Sequence, residues 1–132
     1  MKNKKVLIVS ARYYEDFSNS LELAASSLLH DKKIKYKIIK VPGVFEIPVS
    51  IAKNIKKYDG FVALGSIIKG ETPHFDFISQ TITDAIMQIS VNSKKPIGNG
   101  VITTLNRKQA ESRSLTKGQE AAVAVLSVLD NF

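Results

Sequence analysis

The segment Phe61–Ile68 reads Phe-Val-Ala-Leu-Gly-Ser-Ile-Ile, with Ser66 as its one polar side chain. A short run this apolar suits a strand covered on both faces, as in a parallel sheet sandwiched between helices. Parallel neighbours are joined by crossovers, usually helical, so the rest of the chain must alternate strand with helix. Upstream, the apolar run Val6–Ala11 ends at Arg12, after which Phe17, Leu21, Ala24 and Leu28 recur at helical spacing to about His30. Tyr36–Val41, rich in β-branched residues, closes on Pro42 and Gly43, and Phe45, Val49, Ala52 and Ile55 then fall on one helical face. Beyond the central run, Gly70–Pro73 leads into a long helix whose buried stripe is expected at Phe77, Thr81, Ala85 and Ile89. Lys94, Lys95 and Pro96 mark a turn, Ile97–Thr103 a fourth strand, Arg107–Arg113 a short helix, and Lys117 to about Leu129 a final one.

This pattern predicts an α/β three-layer sandwich, a four-stranded parallel sheet flanked by helices in the flavodoxin-like class, with no linker and one domain over residues 1–132. At 132 residues and 44% hydrophobic, the chain can fill a single core. The apolar run Val6–Val9 is too short for an export signal and nothing approaches a membrane span, so a soluble cytoplasmic protein is expected. Without cysteine there is no disulfide, thiol nucleophile or thiolate metal site, and His30 and His74 are the only imidazoles. A net charge of +7 fits nucleic acid, a small anion or solubility alone. The lysine pairs at Lys4 and Lys5, Lys32 and Lys33, Lys56 and Lys57, and Lys94 and Lys95 fall near element ends, which favours solvated caps and turns over a nucleic-acid stripe. Ala121–Leu129 is apolar almost all round and should be buried on more than one side, at a subunit interface or as a central helix.

Ligands of open parallel sheets bind beyond the carboxyl ends of the strands, where helix N-termini also point. The loops Arg12–Phe17, Val41–Glu46, Ser66–His74 and Thr104–Arg113 qualify. The third has the glycines of a phosphate-binding P-loop but Glu71 where that motif needs lysine, which excludes nucleoside triphosphate hydrolysis. Gly70 lets backbone approach a ligand, Thr72 is suited to cap the next helix and Pro73 to begin it, leaving free amides that favour an anion such as phosphate. His74 falls in that first turn, where the helix dipole disfavours the protonated imidazole and leaves a base; a structural role is the alternative. His30, ending the first helix, reads as an exposed charge partner of the C-terminus. Glu46 suits hydrogen bonds from ligand hydroxyls or an ordinary helix start. Tyr13 and Tyr14 can stack on a planar heterocycle or cover the sheet edge. Arg113 suits a phosphate fork or an ordinary surface position.

Taken in order along nearly the whole chain, Pro42-Gly-Val-Phe-Glu-Ile-Pro48, Gly65-Ser-Ile-Ile-Lys-Gly-Glu-Thr-Pro-His-Phe-Asp-Phe77, Gly100-Val-Ile-Thr-Thr104 and Lys117-Gly-Gln-Glu-Ala-Ala122 resemble the signature segments of the lumazine synthase family. The resemblance implies a transferase of riboflavin biosynthesis that needs no cofactor and no metal. Such an enzyme condenses 5-amino-6-(ribitylamino)uracil with 3,4-dihydroxy-2-butanone 4-phosphate, giving 6,7-dimethyl-8-ribityllumazine, phosphate and water. By matching position it implies Tyr13 stacked on the pyrimidine, Phe45 and Glu46 on the ribityl chain with Val44 beside them, and Ile67 and Ile68 lining the heterocycle pocket. Glu71 and Thr72 would cradle the butanone phosphate through their backbone and the threonine hydroxyl, Arg113 would pair with it, His74 would transfer protons, and Lys117 would come from an adjacent subunit.

The chain departs from the family at Tyr14, where Asn is common, and at Asn99, where many members place an aromatic that covers the heterocycle from the neighbouring subunit. One-sided stacking should change affinity without abolishing the reaction. The family builds pentamers, some packed into hollow capsids. With Met1–Lys5 alone before the first strand and a short loop from Arg113 to Lys117, the resemblance implies a pentamer or pentamer pair with active sites at subunit interfaces. The expected partners are small-molecule substrates and further copies of the chain, with no nucleic acid and no membrane. The rival reading is a non-catalytic flavodoxin-like domain that binds a flavin or a phosphate.

Overall fold

In the computed structural model, which describes residues 3–130, the chain runs through β1 (Lys5–Ala11), α1 (Glu15–Asp31), β2 (Lys35–Val41), a one-turn 3-10 helix (Val44–Glu46), α2 (Ile47–Lys53), β3 (Gly60–Ile68), α3 (Phe75–Ser93), β4 (Ile97–Thr104) and α4 (Arg107–Leu129). The strands form one parallel sheet in the order β2-β1-β3-β4. This is the expected three-layer α/β architecture. β3 has a strand on either side and helices over both faces, so every one of its residues is buried, which explains its unbroken apolar run.

Side chains of adjacent strand residues point to opposite faces, and the two cores divide accordingly. Val6, Ile8, Val62 and Leu64 pack with Leu21, Ala25 and Leu29 of α1 and Ala121, Ala122 and Val125 of α4. Leu7, Val9, Ala11, Phe61 and Ala63 pack on the other face with Ile47 and Ile51 of α2 and Ile82 and Ile86 of α3. Each large apolar side chain buried in this way contributes about 1.5–3 kcal/mol. A one-residue slip of β1 or β3 would send each set to the wrong helices, so both faces specify the register.

The helical faces differ from expectation. In α1, Phe17 and Leu21 are buried as expected, but Ala25 and Leu29 complete the face and Ala24 and Leu28 lie at its margin. In α2 the buried residues are Ile47 and Ile51, with Ile55 packed beside them, while Phe45, Val49 and Ala52 are exposed. In α3, Ile82 and Ile86 are buried, flanked by Ile78 and Ile89; Phe77 is 65% exposed. Both helices turn their isoleucines inward, because those bury more apolar area than the alanine and threonine on the adjacent stripe.

The expected break between Arg113 and Lys117 does not exist, and α4 is one continuous helix. Asn106 caps it by accepting the Gln109 N–H at 2.9 Å. The buried Ser114 hydroxyl donates to the Ala110 carbonyl at 2.5 Å, so the polar segment satisfies itself within the helix. At Gly118 the helix crosses α1 so closely that a Cβ would fall 2.5 Å from the Leu21 carbonyl oxygen. The small residues that look like a break are the contact surface. Farther on, Ala121, Ala122, Val125, Leu126 and Leu129 turn inward, whereas Val123 and Val128 are exposed, so within the chain this helix buries one face.

His30 is exposed in the last turn of α1, as expected. Lys95 departs from the pattern of solvated lysine pairs: its Nζ donates to the carbonyls of Ile55 at 2.5 Å and Tyr58 at 2.9 Å, tying the α3–β4 turn to the α2–β3 loop. Among the described residues no helix is long and apolar enough to cross a membrane.

Candidate active site

With β1 lying between β2 and β3, the chain leaves β1 in one direction across the sheet and later returns on its other side. Such a switch opens a crevice beyond the carboxyl ends of the strands. A cleft of about 230 Å³ lies there. Tyr13 reaches it from the loop after β1, Gly43 and Val44 from the loop after β2, and Ser66 and Ile67 from the end of β3; Glu71, Thr72, Pro73 and Ile78 complete it.

Three elements shape this cleft. The β1–α1 loop is anchored through Arg12, whose guanidinium reaches Glu22 at 2.5 Å and Asn19 at 2.8 Å, with Ser10 donating to the same Glu22 carboxylate at 2.5 Å. Tyr13, next in sequence, is 71% exposed, and its ring meets Tyr14 edge-on at 4.9 Å and 85°. After β2, the Glu46 carboxylate accepts the Gly43 N–H at 2.9 Å and closes the 3-10 turn that presents Val44. At the end of β3, the Ser66 hydroxyl is buried with no hydrogen-bond partner among the described residues. Buried polar groups are normally satisfied, so this one is free to meet a polar atom of a ligand.

The β3–α3 loop turns at Gly70, whose φ of +86° is a left-handed conformation that glycine adopts without strain. The amides of Glu71 and Thr72 both donate to the Ile68 carbonyl, at 3.2 and 3.1 Å, so these two are used within the turn rather than left free. Helix α3 begins at Phe75, later than expected; Thr72 and Pro73 lie outside it and no side chain caps it. His74 is its N-cap residue, exposed, with left-handed φ 64° and ψ 36°. That conformation costs a non-glycine residue about 1–2 kcal/mol. The first helical amides beyond His74 have no acceptor within the helix and point the dipole's positive end toward the loop.

The structure thus gathers Tyr13, Val44, Ile67, Glu71 and Thr72 around one cleft. Phe45 and Glu46 adjoin it without lining it, and His74 stands at the α3 start beyond Pro73. Ile68 is not a lining residue: it is fully buried and packs with Phe17, Ile102 and Ala110. Asn99 lies exposed on the edge strand β4, its Oδ1 accepting the Val101 N–H at 3.0 Å. Arg113 and Lys117 line a separate cavity of about 190 Å³ with Val101, Ile102 and Thr103. Among the described residues Arg113 has no ion-pair partner, and Lys117 meets only Glu120, at 3.9 Å.

Ser66, Pro73, Ile78 and Arg107 are additions that the sequence did not single out as site residues. Ser66 had a visible signal, as the one polar side chain in the β3 run. Arg107 had a fainter one, a cation at a helix start; its Nη1 lies 3.4 Å from the Glu71 carboxylate. Among the described residues no three His, Asp or Glu side chains gather as a metal site would require.

Comparison with known proteins adds an independent line. The family model for 6,7-dimethyl-8-ribityllumazine synthase matches residues 3–132. The chain is 40% identical to the 6,7-dimethyl-8-ribityllumazine synthase of Agrobacterium fabrum, covering 98% of this chain and 95% of that protein. It is 42% identical to the enzyme of that name from Bartonella bacilliformis, covering 96% and 89% of the two chains, and 42% identical to that of Bartonella henselae, covering 97% and 88%.

Proposed function

Because the chain belongs to the 6,7-dimethyl-8-ribityllumazine synthase family, we propose that it carries out that family's condensation in the cleft beyond β1 and β3. The enzyme is a transferase that joins 5-amino-6-(ribitylamino)uracil to 3,4-dihydroxy-2-butanone 4-phosphate in the biosynthesis of riboflavin. The observation that carries the assignment to this cleft is the meeting of Tyr13, Ile67, Glu71 and Thr72 around one crevice at the sheet's switch point.

In this reading the pyrimidine stacks on Tyr13 over Ile67, with Val44, Phe45 and Glu46 toward the ribityl chain and Ser66 offering its unpaired hydroxyl. The pyrimidine amine attacks the butanone ketone, water leaves as the imine forms, phosphate is eliminated and the second ring closes. Holding amine against ketone is worth up to about 7–11 kcal/mol in favourable systems, so positioning is the larger part of catalysis. His74 shuttles protons. The Thr72 hydroxyl and the free amides of α3 face the phosphate, an anion suited to a helix start.

Arg113, Lys117 and Asn99 lie on β4 and α4, away from the cleft lining of their own chain. We assign them to the cleft of an adjacent copy, where Arg113 pairs with the departing phosphate. The exposed apolar side chains of Phe77, Met87 and Val91 on α3 and Val49 on α2 support burial against further copies, in a pentamer or pentamer pair. Residues 1–132 act as one catalytic domain, in the cytoplasm, without a resident cofactor. A binding-only flavodoxin-like role is not favoured by relatives that match end to end as synthases. The test is the rate of lumazine formation by the purified protein over the spontaneous rate: acceleration is expected, and none would refute the assignment.

A further inference from the structure

Arg107 is the first residue of α4, where the positive end of the helix dipole disfavours a cation. The cap is already supplied by Asn106, and no acidic residue stands in that turn. Nothing in the helix itself therefore calls for arginine. Its guanidinium engages two other elements instead. Nη1 lies 3.4 Å from Oε1 of Glu71, and Cζ lies 5.4 Å from the Tyr14 ring centre and 5.1 Å from that of Phe17, within cation–π range. The buried Tyr14 hydroxyl has no partner among the described residues, so ring contacts hold this side chain. Tyr14 in turn meets Tyr13 edge-on at 4.9 Å. Tyr13 and Glu71 sit on different loops of the cleft, and Arg107 does not line it.

We propose that Arg107 is a positioning residue for the pyrimidine substrate, one guanidinium setting the Tyr13–Tyr14 loop and the Glu71 loop relative to each other before substrate arrives. The inference rests on the reading of the cleft as the pyrimidine site. Setting both loops in advance spares the ordering cost otherwise met on binding. The ion pair alone is half exposed and contributes little. A planar group stacked on two rings adds an orientation that lysine does not supply.

The test is calorimetric titration of the ribitylamino-pyrimidine into wild type, Arg107→Ala and Arg107→Lys, with steady-state rates and thermal unfolding alongside. Arg107→Ala should weaken pyrimidine affinity, and raise its KM, roughly three- to tenfold. Its kcat should change less than its KM, and its unfolding temperature should hold or rise as a cation leaves the helix start. Lysine should restore only part of the affinity, and in a Glu71→Gln background the alanine effect should shrink. Unchanged affinity in Arg107→Ala would overturn the proposal, and so would full restoration by lysine or a loss of kcat that merely tracks lost stability. Wild-type protein that binds the pyrimidine without turning it over would count against the reaction and leave the role of Arg107 standing, since affinity is read without turnover.

Discussion

Ile67 and Ile68 are adjacent in β3 and face opposite sides of the sheet: Ile67 lines the cleft, whereas Ile68 packs with Phe17, Ile102 and Ala110 beneath α4. The pleat sends successive side chains to opposite faces, so one belongs to substrate recognition and the other to the core.

This division is measurable. Ile68→Ala should destabilise the protein by about 2–5 kcal/mol in urea unfolding, with the pyrimidine KM of the folded enzyme little changed. Ile67→Ala should raise that KM severalfold. An Ile68→Ala enzyme of normal stability and poor pyrimidine binding would reverse the assignment.

Ser66 should separate stability from affinity. Its hydroxyl is buried and unpaired, so Ser66→Ala strands no partner, and stability should hold or rise by up to about 1 kcal/mol. The pyrimidine KM should rise by up to about tenfold, one hydrogen bond's worth. A lower unfolding midpoint with an unchanged KM would show that the hydroxyl serves the fold.

Much of the fold was legible because burial on both faces leaves a simple mark: β3 reads as an unbroken apolar run, and the elements around it alternate. Helix faces were less legible. α3 carries apolar residues on more than one face, and which set meets the sheet depends on packing; Ile82 and Ile86 are inside while Phe77, Met87 and Val91 are exposed. The Ser114–Gly118 segment hid the continuity of α4, since its small residues are chosen by contact with α1 rather than by local helix preference. In the site, Tyr13, Val44, Ile67, Glu71 and Thr72 were legible from strand ends and from the family resemblance. The contacts of Arg107 were not, because they depend on which loop the start of α4 meets in space.

His74 carries a backbone demand as well as an imidazole, and the two can be told apart. His74→Asn, a residue that tolerates the left-handed conformation, should keep stability and lower kcat by on the order of 10²-fold. His74→Gly should lose as much kcat while gaining about 1 kcal/mol of stability. Unchanged turnover in both would remove His74 from proton transfer.

If adjacent copies complete each site, variants damaged on opposite sides should rescue one another. Tyr13→Ala and Arg113→Ala should each be impaired, the first in pyrimidine KM and the second in butanone-phosphate KM. Unfolded together and refolded as a mixture, they should regain activity that neither has alone. Mixed assemblies, verified by mass, that show only the average of the two would mean that each chain supplies its own Arg113.

The most direct measurement is the rate of lumazine formation, followed by absorbance and fluorescence and corrected for the spontaneous reaction, for wild type and Tyr13→Ala in parallel. Catalysis by the wild type with a raised pyrimidine KM in Tyr13→Ala is the predicted result and would establish both the reaction and its place in the fold. A folded wild type that leaves the spontaneous rate unchanged, or a Tyr13→Ala enzyme with wild-type KM, would contradict the account.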